Sequence, residues 1–226
     1  MTVGAGAITQ NVQQAARDAD LFYPVDFASS GSSQIGGNIA TNAGGINVIR
    51  YGMTREWVAG LTVVTGKGEV LELNKGLMKN NTGLDFRHLF IGSEGILGFI
   101  TEATLKLTAP PKDPTVLVLG LSDMSAIMTV LDRIQSTTPL LAYEFFSELA
   151  VSMVVDHAGV ARPFETRTPF YALVEFEREN DLTDAQVFEA VEQCMEEGWV
   201  IDAVMSQSVA QACLLYTSDA ADEAIG

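Results

Sequence analysis

The sequence predicts an α+β fold in two units. Three observations point there. A glycine-rich, β-rich stretch runs to the proline cluster Pro110, Pro111 and Pro114. Beyond that cluster, apolar runs of strand length alternate with stretches of helical period. Apolar residues make up 47% of the chain and charged residues 19%, which suits a globular protein with a sizeable core.

In the first unit, "VGAGAITQNVQQAARDADLFYP" reads as a strand end, a glycine turn and a helix with Val12, Ala15 and Ala16 on one face. Residues 58–73, "VAGLTVVTGKGEVLEL", hold two β-rich runs joined by "GKG", a hairpin signal. Apolar and polar residues then alternate from Phe99 to Leu107, as in a half-buried strand. In the second unit "TVLVLGL" is a strand. Ser122 or Asp123 caps a helix to about Ser136, with Ile127, Val130, Leu131 and Ile134 as its stripe. "LAYEFF" and "TPFYALVEFE" are further strands, and "SELAVSMVVDHAG" is a helix closed by Gly159. Thr183 and Gln186 form a capping-box pattern for a helix ending at Gly198, before a last strand "WVIDAVMS". The alternation implies a sheet with helices packed on one face.

Composition excludes some functions. The net charge of −16 argues against nucleic acid and anionic lipid, both of which need clustered Lys and Arg. No apolar run reaches the roughly 20 residues of a membrane span. Cys194 and Cys213 make neither a disulfide framework nor a metal site. His88 and His157 lack a second ligand at metal spacing, so no metal is assigned. No side chain is assigned a catalytic role: Asp85 and His88 lie three apart with no nucleophile tied to them. Arg50 and Tyr51 in "IRYG" lie just behind the glycine segment, where packing is the simpler role.

The chemistry lies in "QIGGNIATNAGG", residues 34–45. Gly36, Gly37, Gly44 and Gly45 let backbone N–H groups approach a ligand with no Cβ in the way. Successive N–H groups of this kind form an anion-binding concavity suited to a pyrophosphate. The segment lacks the G-K-[ST] of an NTPase loop and the G-x-G-x-x-G of a Rossmann turn. "GAG" at 4–6 is a lone G-x-G and reads as a tight turn. A purely structural turn at 36–45 is the competing reading, and a second small-residue loop, Gly92-Ser93-Glu94-Gly95, weighs against it.

The stretches "PVDFASSGSSQIGGNIATNAGG", "VIRYGMTRE" and "LFIGSEGILGFIT" together resemble the FAD-linked 2-hydroxyacid dehydrogenases. These belong to the vanillyl-alcohol-oxidase-type flavoproteins. The resemblance implies part of an FAD-binding domain over residues 1–111, then part of an α/β cap domain with a mostly antiparallel, helix-covered sheet over 112–212. It implies FAD contacts from Pro24, Ser32, Ile35, Gly36, Gly37, Asn38, Thr41, Asn42, Gly44 and Gly45. Glu94, Gly95, Gly98 and Ile100 would join them from the second loop.

The implied reaction is oxidation of a small D-2-hydroxy acid (2-hydroxyglutarate, lactate or glycolate class) to the 2-oxo acid. An electron-transfer protein or a quinone would take the electrons, in the bacterial cytoplasm or, for a eukaryotic source, the mitochondrion. Two alternatives stand beside it: a transferase like the alkyl-dihydroxyacetonephosphate synthases, which share the flavin domain, and a non-functional truncated product. By the resemblance, a further glycine-rich subdomain precedes Met1. A substrate arginine and a histidine-containing motif follow residue 212, so the chain itself is expected to be inactive. "CLLYTSDAADE" in the tail 213–226 resembles a translated sequencing adapter. Without its acidic residues Asp219, Asp222 and Glu223 the net charge is −13.

Overall fold

The computed structural model of the chain describes residues 1–158, 161–178 and 181–206. Gly159 and the tail 213–226 lie outside them. The chain divides into two units, Met1–Pro110 and the part from Pro111 onward.

The first unit is built on a four-stranded antiparallel sheet of order β1-β4-β2-β3. Its strands are β1 (Thr2–Gly4), β2 (Val58–Val64), β3 (Val70–Leu73) and β4 (Phe99–Leu105). Strands β2 and β3 form the expected hairpin, with Gly68 at φ +80° in its turn. The alternation on β4 slips between Thr101 and Glu102, both exposed, where the register with β2 shifts between Thr62 and Val63. Helices α1 (Thr9–Arg17) and α2 (Ile35–Thr41) supply Val12, Ala16, Ile35 and Ile39 to a core shared with Leu61, Val63, Ile100 and Ala103.

On α1 the inward face is Thr9, Val12, Gln13 and Ala16, at the i, i+3, i+4, i+7 spacing. Ala15 is exposed, contrary to the sequence reading, and Gln13 takes the inward place. Its amide is satisfied there, donating to the Val25 carbonyl and Asp26 Oδ1 at 3.0 and 2.9 Å. Three single-turn helices follow in the loops: α3 (Val48–Tyr51), α4 (Thr54–Trp57) and α5 (Arg87–Phe90).

The second unit is an antiparallel sheet of order β6-β7-β5-β8. Its strands are β5 (Pro114–Leu121), β6 (Leu140–Ser147), β7 (Phe170–Glu177) and β8 (Val200–Met205). Helices α6 (Met124–Gln135) and α8 (Asp181–Glu196) cover one face, with Ile127, Val130, Ile134, Val187 and Val191 against Leu117, Leu119, Val174 and Phe176. Asp123 is the cap of α6, its carboxylate accepting the Ser125 and Ala126 amides. Helix α8 begins at Asp181, so Thr183 sits inside its first turn, buried, rather than capping it.

Helix α7 (Glu148–Ala158) packs on the opposite face, Val151 joining Val116, Val118, Tyr171 and Leu173. The expectation of helices on one face is therefore corrected. Strand β5 is apolar on both sides, with every residue from Thr115 to Leu121 buried, and each side needs a cover.

A polar cluster sits beside that second face. Glu148 Oε1 and Oε2 accept from the Arg162 guanidinium at 2.8 and 3.1 Å. Oε2 also accepts the Tyr171 hydroxyl at 2.7 Å, and Oε1 the Ser152 hydroxyl at 3.0 Å. Tyr171 in turn stacks against Phe146 and Phe164. Arg162 first, and the two hydroxyls after it, hold the Glu148 carboxyl at about 2 against an ordinary 4.5. Since the folded value lies below the unfolded one, the ionised carboxylate stabilises the fold above pH 4.5, and that contribution drains as pH falls towards 2. Acid titration followed by circular dichroism should show this loss in the wild type. In Glu148→Gln the stability at neutral pH is lower and the loss below pH 4.5 is shallower.

Candidate functional site: a glycine-walled cleft on the first unit

The segment 34–45 is not an open loop. Its first part is helix α2, with Gly36 and Gly37 in the first turn and Asn42 ending it in the left-handed conformation at φ 50°. The helix is held at both ends by main-chain bonds. The Ile35 and Gly36 amides donate to the Ala7 and Ala5 carbonyls at 3.0 and 2.8 Å. At the other end the Ile39 and Ala40 carbonyls accept the Gly92 and Glu94 amides at 3.0 and 2.8 Å. The turn at residues 5–7 and the loop at 92–95 are thus fastened to one helix.

Between them lies a half-open cleft of about 500 Å3. Gly36, Gly37, Glu94, Gly95, Gly98 and Ile100 line it, six of the fourteen residues expected at the site. Ala5, Gly6, Gln34 and Ala40 line it too. Ala5 and Gly6 of the "GAG" turn therefore belong to the cleft wall. The turn's two-glycine spacing was the available signal, too short to be read from sequence alone.

The other eight lie elsewhere, each for a visible reason. Ile35 is fully buried in the core. Asn38 is buried, and its amide donates to Thr9 Oγ1 at 2.6 Å, tying α2 to α1. Pro24 is buried and its carbonyl accepts the Asn47 amide. Ser32 and Thr41 hydroxyls turn back on the Ser29 and Gly37 carbonyls. Asn42 Oδ1 accepts the Arg55 amide at 2.9 Å. Gly44 faces Val48. Gly45, at φ +117°, packs so closely on Asp26 that a Cβ would sit 2.0 Å from its carbonyl oxygen. Arg50 and Tyr51 lie on α3, where Tyr51 makes edge-on ring contacts with Phe22 and Trp57.

The N–H cradle is narrower than the glycine count suggested, because Ala5 and Ala7 consume the Gly36 and Ile35 amides. Among the described residues the Gly37 N–H meets no backbone carbonyl. A Cβ on Gly37 would touch nothing within 4 Å, whereas one on Gly36 would lie 2.7 Å from the Ala5 Cβ. The one charged side chain in the lining is that of Glu94. A free amide, glycine surface and walls uncharged except at Glu94 fit an uncharged ring system, or a phosphate held by main-chain donors away from that carboxylate. Gly36→Ala should destabilise the unit by about 1–3 kcal/mol through this overpacking. Gly37→Ala should leave the melting temperature within the range of an exposed surface change. Thermal unfolding of the two variants side by side checks both.

Comparison with known proteins follows the same division of the chain. Residues 1–74 match the family described as FAD binding domain, and residues 110–221 match the C-terminal domain of FAD linked oxidases. D-2-hydroxyglutarate dehydrogenase of Stutzerimonas stutzeri is 58% identical over 206 residues, 91% of this chain and 44% of that protein. The protein of the same name from Xanthomonas citri pv. viticola is 53% identical, over 96% of this chain and 46% of its own length. The chain thus spans less than half the length of these relatives. Among solved structures, an alkyldihydroxyacetonephosphate synthase aligns with 96% of this chain and 43% of its own at a TM-score of 0.67 and 19% identity. The 4-ethylphenol oxidase from Gulosibacter chungangensis aligns with 97% of this chain and 48% of its own at 0.66 and 14%. These last two likenesses speak to fold alone. With both of its units matched to FAD-protein families, the chain belongs to the FAD-linked oxidases.

Proposed function

We propose that this chain supplies one wall of the FAD site, and the first part of the substrate domain, of an oxidoreductase that converts a D-2-hydroxy acid to its 2-oxo acid. In this reading residues 1–111 hold the cofactor and 112–212 begin the cap domain, the tail 213–226 being extraneous to both. The observation that carries it is the 58% identity to a protein named D-2-hydroxyglutarate dehydrogenase, which also favours 2-hydroxyglutarate within the substrate class. A bacterial cytoplasmic setting fits the bacterial relatives, and no helix among the described residues is long and apolar enough to cross a membrane.

Bound FAD would supply the hydride acceptor that oxidation of a secondary alcohol requires. The chain's part is to hold it. The Gly37 N–H is available to a phosphate or carbonyl oxygen, and the glycine surface at 36, 37, 95 and 98 lets backbone close on a flat or branched group. Glu94, an exposed residue of the lining, is held in place through its own amide on Ala40. Of the fourteen expected contacts, Pro24, Ile35, Asn38 and Gly45 serve by shaping this wall rather than by facing it. The electron acceptor, an electron-transfer protein or a quinone, would meet the enzyme outside these residues. The transferase alternative rests on fold likeness alone, at 19% identity.

A chimera tests the reading. Residues 2–206 replace the matching segment of the Stutzerimonas stutzeri enzyme, and bound flavin and D-2-hydroxyglutarate oxidation are measured. Retained flavin with kcat/KM within about tenfold of the parent is the expected result. A folded chimera without flavin would overturn the cofactor assignment, and one with flavin but no hydroxy-acid oxidation would overturn the substrate class.

A further inference from the structure

Arg55 lines no part of the cleft, yet its side chain ends where the second loop begins. It is carried by the single-turn helix α4. Its Nη1 donates to the His88 carbonyl at 3.0 Å and lies 3.1 Å from His88 Nδ1, while Nη2 donates to the Ile91 carbonyl at 2.6 Å. Its main-chain N–H donates to Asn42 Oδ1, on the residue that ends α2. Helix α5 is one turn long and leaves carbonyls that no following turn can satisfy. Ile91 is 2% exposed, so its carbonyl would otherwise stand away from water without a partner.

The next residue is Gly92, at φ +82°. A Cβ there would lie 3.3 Å from Asn42 Cβ and 3.4 Å from Arg55 Nη2, so the arginine and the α2 cap close around it. Among the described residues Arg55 makes no ion pair with a carboxylate. Its neighbour Arg87 differs, being taken up by Asp85. The guanidinium of Arg55 is thus spent on backbone oxygens, a use that needs a fork of donors reaching two acceptors at once.

We propose that Arg55 is the positioning residue of the cleft's second loop: its forked bonds to the His88 and Ile91 carbonyls hold Gly92–Gly95 against the end of α2, and so set the width of the cleft. The consequence for FAD rests on the cofactor reading above; the consequence for the loop does not. Lysine at this position keeps the charge and most of the stem but reaches only one carbonyl. It therefore fails to replace the arginine.

Amide hydrogen exchange by NMR, on the 226-residue chain and its R55M and R55K variants, reads the loop without any ligand. The Gly92 and Glu94 amides should exchange at least about tenfold faster in both variants, the loss of roughly one hydrogen bond's protection. The Ile35 and Gly36 amides, bonded to Ala7 and Ala5, should keep theirs. FAD titration of the chimera described above, with Arg55 intact and as its R55M and R55K variants, read by flavin fluorescence, should show about tenfold weaker binding in both variants. Unchanged exchange at Gly92 and Glu94 in R55M overturns the proposal, and so does wild-type protection in R55K. If R55M does not fold, R55K alone decides. If the chimera with Arg55 intact takes up no FAD while the exchange pattern holds, the cofactor reading falls and the latch stands.

Discussion

Everything in the first unit depends on a seven-residue helix too short to be stable alone. Main-chain bonds to the Ala5 and Ala7 carbonyls hold the start of α2, and the Gly92 and Glu94 amides hold its end. Two buried isoleucines, Ile35 and Ile39, press its inner side into the core, and the Asn38 amide joins it to α1 through Thr9. The cleft is the space left between the two segments so fastened. Its shape follows from backbone geometry, which explains why glycine recurs where chain meets chain. At Gly36 even a methyl group would collide with Ala5.

The second unit solves a different problem. Strand β5 is buried along nearly its whole length and flanked on both sides, by β7 and β8. Helices α6 and α8 cover one face. The other is covered by α7 together with Phe164, which stacks on Tyr171, and Thr168, which a Cβ on Gly120 would strike at 2.7 Å. The chain that follows α7 is held in part through the Glu148–Arg162 pair. Both side chains are mostly covered, so the pair carries more than an exposed surface bridge would. The α+β pattern of each unit is thus a consequence of which strand faces are apolar.

Much of the fold was legible. The hairpin at 58–73, the helix capped at Asp123 and the strands "TVLVLGL" and "TPFYALVEFE" announce themselves through period and turn chemistry. Ala15 and Gln13 exchanged places because an amide with two good acceptors is cheaper to bury than its hydropathy suggests. Helix α7 went to the unexpected face because local periodicity says which side of a helix is apolar. It does not say which side of the sheet receives it.

For the site, the chain's sequence by itself determined that two glycine-bearing segments, near residues 36–45 and 92–98, belong to one family motif. It determined too that no cationic side chain sits in the first of them. Only the tertiary structure decided which of those glycines face the cleft: Gly36 and Gly37 line it, whereas Gly44 faces Val48 and Gly45 packs on Asp26. It alone brought Ala5 and Gly6 to the wall beside Gly36 and Gly37, and Arg55 to the Ile91 carbonyl 36 residues along the chain. The reason is physical. Glycine content records where backbone is allowed to come close, whereas hydrogen bonds between distant main-chain groups leave no side-chain signature, because every residue but proline offers the same donor and acceptor.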